Sequence, residues 1–169
     1  TSATALARDY AALDTSGERL LALTATTGGT TATVSSYDGT NARAAFSSPL
    51  TNLRAEFLGN EYLAVTKPSH ELLGYAFRVP EGGAFTRILG PLYGLSAKSD
   101  DAGKQVLFSY ADAGVVRLSL YTVSTGTALP LPLQTVVEKC AFSPDGALAY
   151  CAVPTSLVRD TLPVSWYQG

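Results

Sequence analysis

Short apolar runs broken by glycine-containing turns fill the chain from Tyr10 to Val153. Val106-Leu107-Phe108-Ser109-Tyr110 and Leu148-Ala149-Tyr150-Cys151-Ala152-Val153 are apolar at almost every position. A strand with one wet face would alternate, so these runs predict strands packed on both faces. No segment sustains a helical period. Between the runs lie Asp14-Thr15-Ser16-Gly17, Leu58-Gly59-Asn60, Asp100-Asp101-Ala102-Gly103 and Ser143-Pro144-Asp145-Gly146, whose glycines are 42, 44 and 43 residues apart.

Aligned on that turn, the chain divides into repeats at about 7–48, 49–91, 92–134 and 135–169, the last incomplete. The first holds Tyr10 to Leu13, Leu20 to Ala25, Thr31 to Tyr37 and Ala42 to Phe46, joined by Thr26-Thr27-Gly28-Gly29 and Asp38-Gly39-Thr40-Asn41. Gly-Gly and Asp-Gly pairs between apolar runs signal hairpins, because such turns need positive φ. The second holds Leu53 to Phe57, Tyr62 to Thr66, Leu73 to Val79 and Phe85 to Leu89. The third holds Gly94 to Ala97, Gln105 to Tyr110, Val115 to Val123 and Ala128 to Leu133. Glu138 to Phe142 and Leu148 to Val153 open the fourth. Pro130 and Pro132 belong on an outer edge, where a missing N–H breaks no ladder. Four short strands per repeat at this period predict an all-β propeller of four-stranded antiparallel blades. About three and a half blades of a larger propeller are expected. The alternative is a closed four-bladed disc completed by Ser2 to Leu6.

Phe142-Ser143-Pro144-Asp145-Gly146, followed by an apolar strand, resembles the first turn of a blade in bacterial Tol-type and WD-repeat β-propellers. The segment from Lys139 to Gly169 is similar to bacterial propeller proteins tethered outside the membrane by one N-terminal helix. The resemblance implies a propeller fold and an extracytoplasmic location, periplasmic or on the cell surface, and brings no activity with it. The second repeat departs from the pattern, having Leu58-Gly59-Asn60 where an aspartate is expected, and no repeat ends in Trp-Asp.

Composition adds mainly exclusions. Twelve basic and 14 acidic residues give a net charge of −2, without the basic footprint nucleic acid requires. No apolar stretch is long enough to span a membrane as a helix. The chain contains no methionine and ends at Trp166-Tyr167-Gln168-Gly169, so a segment of a longer protein is expected. Cys140 and Cys151 flank one turn: they are either two small buried apolar residues or a disulfide across the hairpin, which would place the protein in an oxidising compartment.

Candidate chemistry is thin. The one histidine, His70, stands in Pro68-Ser69-His70-Glu71, where consecutive side chains diverge and cannot line up as nucleophile, base and orienter. Gly94-Leu95-Ser96-Ala97-Lys98 lacks the second glycine of a nucleophile elbow. The aspartates of the repeat turns are explained by bonds to their own backbone, with calcium at Asp100 and Asp101 as an alternative. No cofactor is expected. We therefore expect a non-enzymatic binding or protein-interaction module whose partner is another protein chain or the rest of its own propeller. The alternative is the propeller portion of a hydrolase acting on glycans or gating a peptidase. On loops at one face, His70, Tyr93, Asp112, Trp166 and Tyr167 are the candidate ligand-binding residues, with packing against the next blade the preferred role for the last two.

Overall fold

A computed structural model describes residues 10–155. The predicted closing strand Ser2 to Leu6 and the candidates Trp166 and Tyr167 lie outside the described residues. Blade 1 is β1 (Ala12–Ser16), β2 (Arg19–Thr26), β3 (Gly29–Ser36) and β4 (Arg43–Ser48), antiparallel in chain order. A second sheet carries β5 (Leu53–Leu58), β6 (Glu61–Thr66), β7 (Leu73–Val79), β8 (Thr86–Ser99), β9 (Gln105–Asp112), β10 (Val115–Thr122) and β11 (Thr127–Leu131), again in chain order. A 3-10 turn (Val137–Lys139) leads into β12 (Cys140–Phe142), which pairs with β13 (Ala149–Cys151). The described residues form a partial β-propeller: three four-stranded blades and the first two strands of a fourth.

Two strands expected to be separate are one. β8 closes blade 2 with its first half, where Thr86 to Tyr93 faces β7, and opens blade 3 with its second half, where Tyr93 to Ser99 faces β9. Its middle passes so close to β7 that a side chain at Gly90 would run into the Gly74 carbonyl, and Gly90 takes φ +98°. Register shifts flank this point on both sides. The strand expected at Glu138 begins only at Cys140, because residues 137–139 wind into a 3-10 turn that buries Val137. The strand expected from Tyr10 begins at Ala12.

The core lies in layers between blades. Leu21, Leu23, Val34 and Phe46 of blade 1 meet Ala55, Phe57, Tyr62 and Val79 of blade 2. On the other face of blade 2, Leu63, Val65, Ala76 and Leu89 meet Leu95, Val106, Phe108 and Tyr121. Leu107 and Leu118 then meet Val137 and Cys140. Neighbours on one strand thus serve opposite seams, Tyr62 one way and Leu63 the other, as alternation across a strand requires. This is why β6 and β9 read as unbroken apolar runs. The first seam is aromatic: Phe46 packs on Tyr62 and edge-on to Phe85 (ring centroids 5.7 and 5.4 Å), and the Arg19 guanidinium sits 4.5 Å from the centre of Phe57.

The repeated turn has a structural cause. Gly59, Gly103 and Gly146 all have positive φ, and all three are points of contact between blades, Gly59 against the Ala102 carbonyl. A Cβ on Gly103 would stand 2.5 Å from the backbone of Leu58, and one on Gly146 would stand 3.0 Å from Oδ2 of Asp100. The turns of blades 3 and 4 therefore each rest on the turn of the blade before. Asp100 is buried, and its Oδ1 accepts the backbone N–H groups of Lys104 and Gln105 at 2.7 and 2.9 Å. Its role is to shape this turn.

Candidate functional site

Charge enters the fold along the innermost strands, where a cavity of about 330 Å³ is lined by Asp14, Arg54, Glu56, Ser96, Lys98 and Glu138, among others. Asp14, Glu56 and Lys98 hold the same place in three successive blades, opposite Leu21, Leu63 and Leu107 in register. Each reaches across to the next blade. Asp14 Oδ2 accepts the N–H of Phe57 at 2.7 Å, Glu56 accepts the N–H of Ser99, and Lys98 Nζ donates to the Cys140 carbonyl at 3.3 Å. One step along, Ser96 donates its hydroxyl to Glu138, and Arg54 lies 3.5 Å from the same carboxylate. Burial pushes the Glu56 carboxyl up to about 7, and the negative charge of Asp14 adds to the shift. The Ser99 bonds and Lys98 oppose it.

These groups act on backbone and on one another, so the arrangement is a set of polar clasps across the blade seams. Ser96 is buried and committed to a carboxylate, with no histidine beside it, which gives it no nucleophile–base geometry. Among the described residues no cluster of three metal-ligating side chains occurs. Sequence reading missed this line of residues because their residue types differ from blade to blade. The usable signal was position: Asp14, Glu56 and Lys98 are each 42 residues apart.

The other end of the blades carries the predicted loops. There the β6–β7 connection and the link from blade 1 to blade 2 border a groove of about 520 Å³ lined by Leu50, Lys67, Leu72, Leu73, Tyr75 and Phe77, with other residues. Leu50, Leu72 and Leu73 are 45%, 71% and 43% exposed, and Tyr93, opposite Leu73 in register, is 46% exposed. The Gly94 N–H donates to the Ser69 carbonyl at 2.7 Å, tying the loop that bears His70 to the strand that bears Tyr93. His70 itself is half-exposed, 3.5 Å from Glu71. Asp112 follows Ala111, the residue opposite Tyr93, so its side chain emerges on the other face, 3.6 Å from Arg117. The structure brings the His70 loop and Tyr93 together and sets Asp112 apart. The expected Thr26–Gly29 hairpin forms, and next to it Thr30 is buried, its hydroxyl donating to the Leu50 carbonyl at 2.7 Å.

Cys140 and Cys151 stand directly opposite each other in β12 and β13 and are joined by a disulfide.

No protein-family model and no curated protein sequence matches the chain. Solved structures do match its fold. TolB from Acinetobacter baumannii is 14% identical with a TM-score of 0.57, over 81% of this chain and 36% of TolB. The tricorn protease is 13% identical with a TM-score of 0.58, over 79% of this chain and 14% of the protease. The class is therefore that of the β-propellers. This chain spans about a third of the length of TolB and a smaller share of the protease.

Proposed function

We propose that the chain is a non-enzymatic binding module that offers the Leu50–Leu72–Leu73–Tyr93 surface to a protein partner outside the cytoplasm. The observation that carries this reading is the clustering of three exposed leucines, Leu50, Leu72 and Leu73, around one groove, with exposed Tyr93 opposite Leu73 in register. Scattered exposed leucines are ordinary, but a contiguous apolar patch rimmed by polar loops marks an interaction site. Tyr93 supplies a rigid aromatic anchor of the kind that dominates binding energy, and Lys67 and His70 supply polar contacts at the rim. The Cys140–Cys151 bond supports the location, since disulfides persist in oxidising compartments.

The test is comparative capture. Immobilised wild-type protein and its Leu72→Asp and Tyr93→Ala variants are exposed to envelope and cytosolic fractions of the producing cells. The reading predicts a protein retained from the envelope by the wild type and lost with both variants. Retention unchanged by either substitution sinks it. Quenching thiols in intact cells with a membrane-impermeant reagent tests the location: Cys140 and Cys151 should be found bonded.

A further inference from the structure

Strand β7 is paired over a longer stretch on one side than on the other. It pairs with β8 from Leu73 onward, but with β6 only from Ala76 to Val79. β6 ends at Thr66, and the chain leaves the sheet through Lys67 and Pro68, the second of which has no N–H to offer. The Tyr75 N–H, which a continued β6 would take up, donates instead to the Thr66 hydroxyl at 2.9 Å. Backbone polar groups alternate sides along a strand, so Leu73, two residues earlier, turns its N–H and C=O the same way, past the end of β6. Leu73 is exposed, and no strand among the described residues pairs with that side of it.

We infer that the partner enters at this edge: an extended apolar peptide segment carrying a carboxylate adds to β7 beside Leu73 as a short strand. The inference rests on the loop-face reading and names the form its partner takes. An open sheet edge offers a main-chain donor and acceptor that only an extended chain can pair in register. Leu73, Tyr75 and Phe77 project to one face of β7, where they line the groove of about 520 Å³ together with Leu50 and Leu72. A strand laid along Leu73 sets alternate side chains against that face, so the segment buries apolar residues at every second position. The groove is continuous with the seam between blades 1 and 2, since Phe77 also packs against the cluster that fills it. The incoming strand therefore prolongs packing that the two blades already make. Charge selects the acid. Lys67 is the one charged residue lining the groove, and among the described residues it has no ion-pair partner. Glu71, on the same loop, lies 3.5 Å from His70 instead.

The test selects a random heptapeptide library on the purified chain and counter-selects it on the Leu72→Asp variant. The retained peptides should alternate apolar with other residues and carry an acid, and one of them, fluorescently labelled, is the probe. Bound peptide should slow hydrogen exchange of the Leu73 amide at least about tenfold, the mark of a new bond, and change far less the Tyr75 amide, already bonded to Thr66. N-methylation at one set of alternate peptide residues should weaken binding at least about tenfold, and at the other set only slightly. Replacing the peptide's acid by its amide should weaken binding to the wild type and not to Lys67→Gln. An unchanged Leu73 amide overturns the proposal. So does indifference to N-methylation at both sets, which is how a helical ligand would behave, or a library that yields no peptide dependent on the groove. An acid-to-amide change felt equally by wild type and Lys67→Gln overturns the pairing with Lys67. Envelope capture judges the loop-face reading separately: a protein lost with Leu72→Asp and Tyr93→Ala, yet not displaced by excess peptide, keeps that reading and removes the added strand.

Discussion

Asp14 Oδ2 accepts the backbone N–H of Phe57 at 2.7 Å across the seam between the first two blades, and Glu56 repeats the contact one blade on, to Ser99. The chain separation is 43 residues in both cases, so a single repeat length fixes both bonds. The clasp works because the first strands of blades 2 and 3 each leave one N–H facing the preceding blade, and a buried N–H without an acceptor is costly.

Asp14→Ala should therefore lower stability by about 1–3 kcal/mol, the range for stranding a buried donor. Urea unfolding would measure this, and hydrogen exchange at Phe57 should accelerate more than at residues of the third blade. A uniform acceleration would show that Asp14 acts on the whole fold and not on one seam.

Gly103 and Gly17 make a matched pair. Both have positive φ (68° and 60°), which costs a non-glycine residue about 1–2 kcal/mol. Only Gly103 has backbone in the way, the Leu58 carbon at 2.5 Å. Gly17→Ala should lose stability by the conformational cost alone, while Gly103→Ala should lose clearly more, as the turn must lift off the neighbouring blade. Equal losses would mean that the repeated glycine answers only to turn geometry.

This pair also shows how far the sequence could be read. The period of the turn glycines and the two-sided apolar strands made the blades legible, because burial on both faces leaves a compositional mark. The continuity of β8 left none: Gly90-Pro91 looks like a loop in isolation, and only the close approach to Gly74 makes it the middle of a strand. The seam clasps were hidden for a related reason. A backbone N–H accepts help from an aspartate or a glutamate, and a carbonyl can be served instead by a lysine, so Asp14, Glu56 and Lys98 share a place but no residue type. Of the loop candidates, the segments that bear His70 and Tyr93 are tied by the bond between their neighbours, Gly94 N–H to the Ser69 carbonyl.

Glu56 makes the fold sensitive to pH. Its carboxyl titrates near 7 in the folded chain, against an ordinary value of 4.5, chiefly because burial disfavours the charge. The folded state then binds the proton more tightly than the unfolded state. The stabilisation from this group is complete below pH 4.5 and is lost as the pH rises through about 7. Exposed Glu61 and Glu81, held low mainly by their hydrogen bonds to Arg78 and Arg43, act in the opposite sense, losing their contribution as the pH falls. Comparing wild type with Glu56→Gln separates the two. The variant should gain on the wild type between pH 5 and pH 8, by up to about 3 kcal/mol, as read from urea midpoints. A difference that does not change with pH would place the Glu56 titration outside this range.

The disulfide should matter locally and by a predictable amount. Cys140 and Cys151 close a loop with a sequence separation of 11, and tying a loop of that length restricts the unfolded chain by about 3 kcal/mol in the chain-entropy description. The bond joins the two described strands of blade 4, whose pairing is otherwise only three residues long. Loss of the bond should release these strands first and leave blades 1 to 3 folded, since their seams are made by other residues. Val137 and Cys140 close the layer over Leu107 and Leu118, so that layer should loosen next. Hydrogen exchange with and without reductant would resolve the order: amides of β12 and β13 should lose protection well before those of β6 and β9. Simultaneous loss throughout the chain would show that blade 4 is needed to hold the preceding blades together, and the layered view of stability would have to be abandoned.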